Sequence, residues 1–465
     1  MLEKSTDVTT PGSARDGLPA ERRRWAMAAI FIAVAMATLD TAIANIALPA
    51  IAADLRVSPA EVVWVVNVYQ IALVATLLPL GALGEIVGHQ RIYLGGLVLF
   101  TLASLGCALA WSLPSLLVAR ALQGLGASGL MSVNVALVRF VYPNRLLGRG
   151  LGTNAMVVAT AFTFGPTVAS AILALGPWTW LFAVNLPFGL LAFAIGALTL
   201  PPTPRAAHPF DGPGAVLAAG GLGLFIIGIG SAAHQAPPLL VAIELCAAIG
   251  LGIILTARHA DHPAPMLPID LFRLPVFALS AATAVCSFAV QGLAFVSLPF
   301  YFEDVLQRSQ VETGFFMTPW PLVVAIMAPI GGRLSDRYSA GVFGSIGLVL
   351  LGAGMVLLAT LPATPGVADI VWRMAICGIG FGLFQTPNMR ALMSSAPGHR
   401  SGSASGIVAT ARLTGQTLGA AVAALCFSLA GHDGATLALA LGAGFAGLGG
   451  VTSVLRLAVG PSRLT

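Results

Sequence analysis

Lysine is almost missing from this chain: its 465 residues hold one, Lys4, beside 22 arginines. A phosphate-binding Gly-x-x-x-x-Gly-Lys-Ser/Thr loop needs a lysine after glycine, and Lys4 follows Glu3, so this chain alone is not a nucleotide-driven pump. Charge of either sign is scarce, at 9% of residues, against about a quarter in soluble domains. The five cysteines, Cys107, Cys246, Cys286, Cys377 and Cys426, fall inside apolar runs with no metal or disulfide spacing. The seven histidines are scattered over expected loops and termini, which leaves no clustered set for a membrane-embedded transferase. What abounds is apolar: 57% hydrophobic residues and a mean hydropathy of +0.91 mark a polytopic membrane protein. In that setting the net charge of +5 is read loop by loop, and nucleic acid is not implied as a partner.

Apolar segments long enough to cross a bilayer, about 20 residues each, fall near 25–50, 60–82, 92–111, 113–137, 148–174 and 179–200. After a break rich in proline come 213–231 and 237–257, and after a second polar break 276–300, 314–332, 342–361, 367–389, 402–428 and 435–457. The expected organisation is a polar tail over 1–23, a six-helix bundle over 24–200, a linker with two extra spans over 201–274, and a second six-helix bundle with a short tail over 275–465. The first run is too long for a signal peptide and is expected to remain as the first span.

Arginine placement orients the layout. With the N-terminus inside, eighteen of the 23 basic residues lie on the cytoplasmic side, Arg456 counted among them, and only Arg56 and Arg308 lie outside. That asymmetry is what the positive-inside rule demands, and it puts both termini in the cytoplasm. Arg120, Arg373 and Arg412 remain within spans.

The chain also repeats itself. Gly81-Ala82-Leu83-Gly84-Glu85 returns about 250 positions later as Gly332-Arg333-Leu334-Ser335-Asp336, and Gly124, Gly126 and Asn134 return as Gly378, Gly380 and Asn388. Repeated halves are how secondary transporters build a site near the midplane, and a channel would not require them.

One acid dominates the chemistry. Asp40 stands in the apolar run that begins near Trp25, and an acid in hydrocarbon points to function. Counted along the expected spans, Asp40 and Arg120 reach similar depths, roughly 15 Å from the outer ends. An adjacent guanidinium would favour the ionised carboxylate and apolar surroundings the neutral one, leaving a switchable proton carrier. The alternative is a buried ion pair that only fixes packing.

Four segments carry a family resemblance from about Trp25 to Arg456. Leu39-Asp40-Thr41 with Asn45, Ala47, Leu48 and Pro49 resembles a first-helix motif of the major facilitator superfamily, in particular its 14-helix drug:proton antiporter family 2. Gly81 to Arg91, with Glu85 and Gly88, resembles the superfamily's loop motif. Leu117 to Gly126, containing Arg120 and Gln123, resembles the fourth-helix motif, whose arginine is implicated in proton transfer. Gly165-Pro166 and Trp178 to Pro187 resemble the antiporter motif and the start of the sixth helix. The resemblance implies an all-α major facilitator fold of two six-helix bundles plus two inserted helices. It implies a monomeric multidrug exporter driven by the proton motive force, with no other cofactor. Two departures stand out: Ile86 follows Glu85 where the family has a basic residue, and Ala169-Ser170 replaces the usual glycine pair. They thin the charge relay of the gating loop, to which Asp336 and Arg337 of the second half also belong, and weaken the antiporter signal.

Further candidates follow by type and depth. Glu244, the second acid inside a span, is a coupling candidate or a helix-contact residue. Arg412 can meet an anionic substrate group or pair with carbonyls or an acid, Arg373 is expected to snorkel, and Glu303 and Asp304 edge the outer mouth. Cavity candidates are Asn45, Trp64, Asn67, Tyr69, Gln70, Gln123, Asn134, Gln291, Phe315, Phe316, Trp320, Phe384, Gln385, Asn388 and Arg412. Aromatic faces suit planar cations, and ordinary packing is the competing role for each. The expected function is proton antiport of lipophilic, cationic drugs or biocides. The alternative is export or symport of an anionic or zwitterionic metabolite with the same coupling. The partners are the lipid bilayer, protons and an amphipathic small molecule. Arginine for lysine and heavy Ala and Gly use suggest a GC-rich bacterial genome, hence a bacterial cytoplasmic membrane.

Overall fold

The computed structural model describes residues 17–143, 146–205, 210–233, 236–259, 269–337, 340–362, 364–395 and 401–459. Among them there is no strand, and fourteen helical segments are long and apolar enough to cross a membrane. Helices are what such a composition allows, because hydrocarbon offers the backbone no partner outside its own segment.

The first half runs through α1 (Ala20–Leu55), α2 (Pro59–Val62), α3 (Trp64–Val87), α4 (His89–Ala108), α5 (Leu113–Val141), α6 (Leu147–Leu175), α7 (Trp180–Ala183) and α8 (Asn185–Thr199). The inserted pair is α9 (Gly212–Ala233) and α10 (Pro238–His259). The second half comprises α11 (Pro275–Phe300), α12 (Gln310–Met317), α13 (Pro319–Arg337), α14 (Ala340–Ala359), α15 (Val367–Ser395), α16 (Ser401–Ala430) and α17 (Gly434–Val459). The face of the bundle where α1 begins is the near face, and the opposite one the far face.

The internal repeat is visible in the helix starts. Ser58 caps α2 and Ser309 caps α12 with the same box, each side chain accepting from the backbone N–H of the glutamate three residues on, Glu61 or Glu312, which returns the bond. Both boxes open the second span of their half at the far face.

The halves meet through α6 against α12, α1 against α11, and α3 against α16. At the far side Ser170 Oγ donates to Gln310 O at 2.9 Å, and the hydroxyls of Thr167 and Thr318 lie 2.8 Å apart. A Cβ at Gly314 would stand 1.7 Å from Ser170 Oγ, so only glycine lets α12 approach α6 this closely. Helix α9 packs on both α3 and α16 and so touches both halves, while α10 packs on α9.

Three expectations change. Helix α1 runs to Leu55 before Arg56 caps it in the left-handed region, so Asp40 lies fifteen residues from its far end and deeper than the expected span implied. Arg456 is buried within α17, donating to Asn388 Oδ1 at 2.7 Å and Ser280 Oγ at 2.9 Å, because the helix extends past the apparent apolar edge. Arg373 does not simply snorkel: it bridges Asp369 one turn earlier at 3.1 Å and donates to the Leu357 carbonyl.

Candidate functional site

Five helices of the first half converge on one carboxylate. Asp40 on α1 is 2% exposed, and Arg120 on α5 is fully enclosed. Arg120 Nη1 donates to Asp40 Oδ2 at 2.5 Å. Gln123 follows Arg120 by three residues and therefore shares its face of α5. Its Nε2 donates to Asp40 Oδ1 at 2.8 Å and to Ser104 Oγ of α4 at 2.8 Å, while its Oε1 accepts from Arg120 at 2.6 Å. Asn185, opening α8, donates to Asp40 Oδ1 at 3.1 Å. Arg120 Nε donates to the Val65 carbonyl, and the Tyr69 ring of α3 lies 4.2 Å from the guanidinium carbon. A buried charge pair persists only with such extra partners, because desolvation otherwise exceeds the attraction.

The opposite edge of α1 faces the second half. Thr41 and Asn45 line a central pocket of about 10 Å³ with Gln70, Phe162, Gln291, Phe295 and Gln416. That volume admits roughly one water, so an organic substrate requires the halves to part. Gln416 Nε2 donates to Gln291 Oε1 at 2.9 Å, and Thr417 Oγ1 to Gln70 Oε1 at 2.8 Å, the latter joining the halves. Asp40 is not in this lining although Thr41 is: neighbours on α1 point to different places, one into the bundle and one into the cleft.

Of the expected cavity residues, Asn45, Gln70 and Gln291 come together at this pocket. Gln123 and Tyr69 belong instead to the Asp40 cluster. Asn388 is turned into the second bundle by its bonds to Arg456 and the Ser280 carbonyl. Phe384 packs on Phe381, Phe316 on Phe302 and Trp320 on Phe295, all as core aromatics. Phe315 is 61% exposed, on the outer side of the bundle. Trp64 packs its indole against Gly230 of α9. Asn67 and Asn134 are buried among the helices, and Gln385 is half-buried; none of the three lines this pocket. Arg412 is half-buried on α16, one turn before Gln416.

The gating motif docks on the end of the first half and the start of the linker: Gly88 takes φ 108°, His89 N–H donates to Thr203 Oγ1, and Gln90 to the Leu200 carbonyl. Gly81 faces Ser132, and Glu85 and Arg91 are exposed. The side chains of Asp336 and Arg337 lie outside the described residues. Gly165 lets α6 approach Ala42 of α1, and the carbonyl of Pro166 reaches the Gly314 contact. Glu244 sits against Gly228, its Oε2 buried without a partner, on a helix remote from the pocket. Glu303 and Asp304 form a π-helical turn over Tyr301–Val305 that continues α11.

Sequence reasoning missed Ser104, Asn185, Thr41, Phe162, Phe295 and Gln416 as site residues. Thr41 and Asn185 stood in segments already singled out, and their polarity at spanning depth was the available signal.

Comparison with known proteins widens this picture. The sequence model of the Major Facilitator Superfamily matches residues 30–420. The chain is 48% identical to the uncharacterized transporter YebQ of Escherichia coli, covering 97% of this chain and 100% of that protein. It is 30% identical to the riboflavin transporter RibZ of Clostridioides difficile, covering 86% and 87%. It is also 30% identical to the tetracenomycin C resistance and export protein of Streptomyces glaucescens, covering 90% and 78%. Its fold is similar to the crystal structure of the POT family transporter PepTSo, with a TM-score of 0.72 at 15% identity, covering 95% and 98%.

Proposed function

The chain belongs to the major facilitator superfamily, and from that premise we propose that it exports amphipathic small molecules by alternating access, driven by proton return through Asp40. It is a transporter, not an enzyme. The observation that supports the coupling is the enclosed carboxylate: Asp40 receives Arg120, Gln123 and Asn185 at once. Protonating it removes the charge that answers Arg120, and a lone guanidinium in a low-dielectric interior is costly. Arg120 and Gln123 must then find other partners, which loosens α1 from α5. Thr41 and Asn45 ride on the same helix and face the central cleft, so the protonation state reaches the substrate site through α1 itself.

The charge pattern supports a cytoplasmic near face; a bacterial cytoplasmic membrane and a monomeric working unit complete the proposal. With α6 and α12 closed at the far face, the described state is shut toward the outside.

Two substrate classes fit. Phe162 and Phe295 suit a lipophilic cation such as a drug or biocide. An anionic or zwitterionic metabolite is favoured by Arg412; the similar proteins include both a tetracenomycin C resistance and export protein and a riboflavin transporter. The test is dye-reported proton movement in proteoliposomes given ethidium or an organic anion. Substrate-driven flux in the wild type should vanish in Asp40→Asn. Undiminished flux in that variant overturns the coupling.

A further inference from the structure

The arginines at spanning depth are not equal. Arg120 is answered by Asp40, Arg373 by Asp369, and Arg456 by Asn388 and Ser280. Arg412 enters none of the ion pairs or hydrogen bonds among the described residues, and its Nε is buried without an acceptor. Its place on α16 is specific. Gln416 and Ala420 line the central pocket, and Arg412, Gln416 and Ala420 recur at four-residue spacing, so they share one stripe of the helix. On the flank of that stripe Leu413 packs into the apolar core of the first half and Ala409 against it, which holds this edge of α16 against the opposite half. Arg412 is thus the next group below Gln416 along the cleft, toward the near face.

We infer that Arg412 receives an anionic group of the transported molecule, which makes the substrate an amphipathic anion or zwitterion with an aromatic body. The inference rests on the transport reading above and names its substrate class. The pocket lining contains hydroxyl, amide and aromatic side chains and no carboxylate. Asp40 has both oxygens engaged inside the first bundle and does not offset the charge at Arg412. Among the described residues, Arg412 thus sets a positive charge just below a pocket whose lining holds no carboxylate. A guanidinium stays charged in any protein environment, and a charge at this depth calls for a counter-charge. One that arrives and leaves with the substrate supplies it, while Phe162, Phe295 and the amides of Gln70 and Gln291 receive the ring. A cation in the same place meets repulsion.

The experiment is equilibrium binding of fluorescein, an aromatic anion, and rhodamine 123, a cation on the same xanthene ring. Fluorescence anisotropy is read in nanodiscs of zwitterionic lipid, on wild type, Arg412→Gln and Arg412→Lys. Fluorescein should bind more tightly than rhodamine 123 and lose at least about tenfold in affinity in Arg412→Gln, the scale of a lost charge-assisted hydrogen bond. Arg412→Lys, which keeps the charge, should retain most of the affinity, and rhodamine 123 should bind Arg412→Gln no less well than wild type. Preference for rhodamine 123 in the wild type overturns the inference. So does fluorescein affinity indifferent to Arg412→Gln, or saturation by neither dye up to millimolar concentration. Fluorescein binding that depends on Arg412, beside full proton flux in Asp40→Asn, would instead overturn the coupling and leave this site standing.

Discussion

Asp40 and Arg120 hold each other in place, and the cost of separating them depends on which charge is left behind. Arg120→Gln strands a carboxylate, with Gln123 and Asn185 as its remaining donors. Asp40→Asn strands a guanidinium with the Val65 carbonyl, Gln123 Oε1 and the Tyr69 ring. Breaking a buried pair from one side costs about 3–5 kcal/mol, whereas removing both charges together is often close to neutral. Each single variant should therefore melt well below wild type in nanodiscs, and the Asp40→Asn/Arg120→Gln double variant should recover most of the loss. None of the three should carry substrate-driven protons. Single variants that melt like wild type would show that the pair contributes nothing to the fold. The pair was legible from sequence because both charges stood far inside apolar runs with no other charge near them. Arg456 was not, since a charge close to the end of an apolar run reads as a flank until the helix is seen to continue around it.

At the scale of the element, the far-face closure depends on one missing side chain. Thr163 donates to the Pro321 carbonyl and Ser170 to that of Gln310, and between them α12 presents Gly314 to Ser170. A valine at Gly314 has nowhere to go, because the first carbon already meets the serine oxygen and the carbonyl of Pro166. Gly314→Val should thus hold α6 and α12 apart and shift the population toward the far-open state. Spin labels at the exposed positions Leu175 and Val311 would read this as a longer, broader distance distribution than in the unsubstituted background. An unchanged distribution would mean that the contact is not what closes this face. Element existence was legible throughout, since fourteen apolar runs of spanning length have no soluble reading. The facing of each polar residue was not. Tyr69 and Gln70 are adjacent on α3, yet one packs under Arg120 and the other lines the central pocket. Amphipathic periodicity, which settles such questions in soluble helices, fades when lipid and core are equally apolar. A list by residue type therefore mixed bundle-interior polar groups such as Asn388 with cleft groups such as Gln291.

For the whole molecule, the decisive question is which face looks into the cell, because the meaning of the closed face follows from it. Arginine supplies the argument. The near face gathers Arg22, Arg23, Arg24, Arg91, Arg139, Arg205, Arg258 and Arg273, while Arg56 and Arg308 stand at the far face. Flanking arginines bias insertion so that their side stays in the cytoplasm. Cys246 is the exposed cysteine among the five, the other four being buried, so Cys246→Ser gives a quiet background for labelling. In that background Gln307→Cys, exposed at the far-face turn after α11, should react with a membrane-impermeant maleimide in intact cells. Arg205→Cys, exposed just beyond α8, should react only after permeabilisation. The reversed pattern would place the α6–α12 closure on the cytoplasmic side. The described conformation would then be shut toward the cytoplasm, and Arg412, on the near side of the pocket, would lie toward the outside.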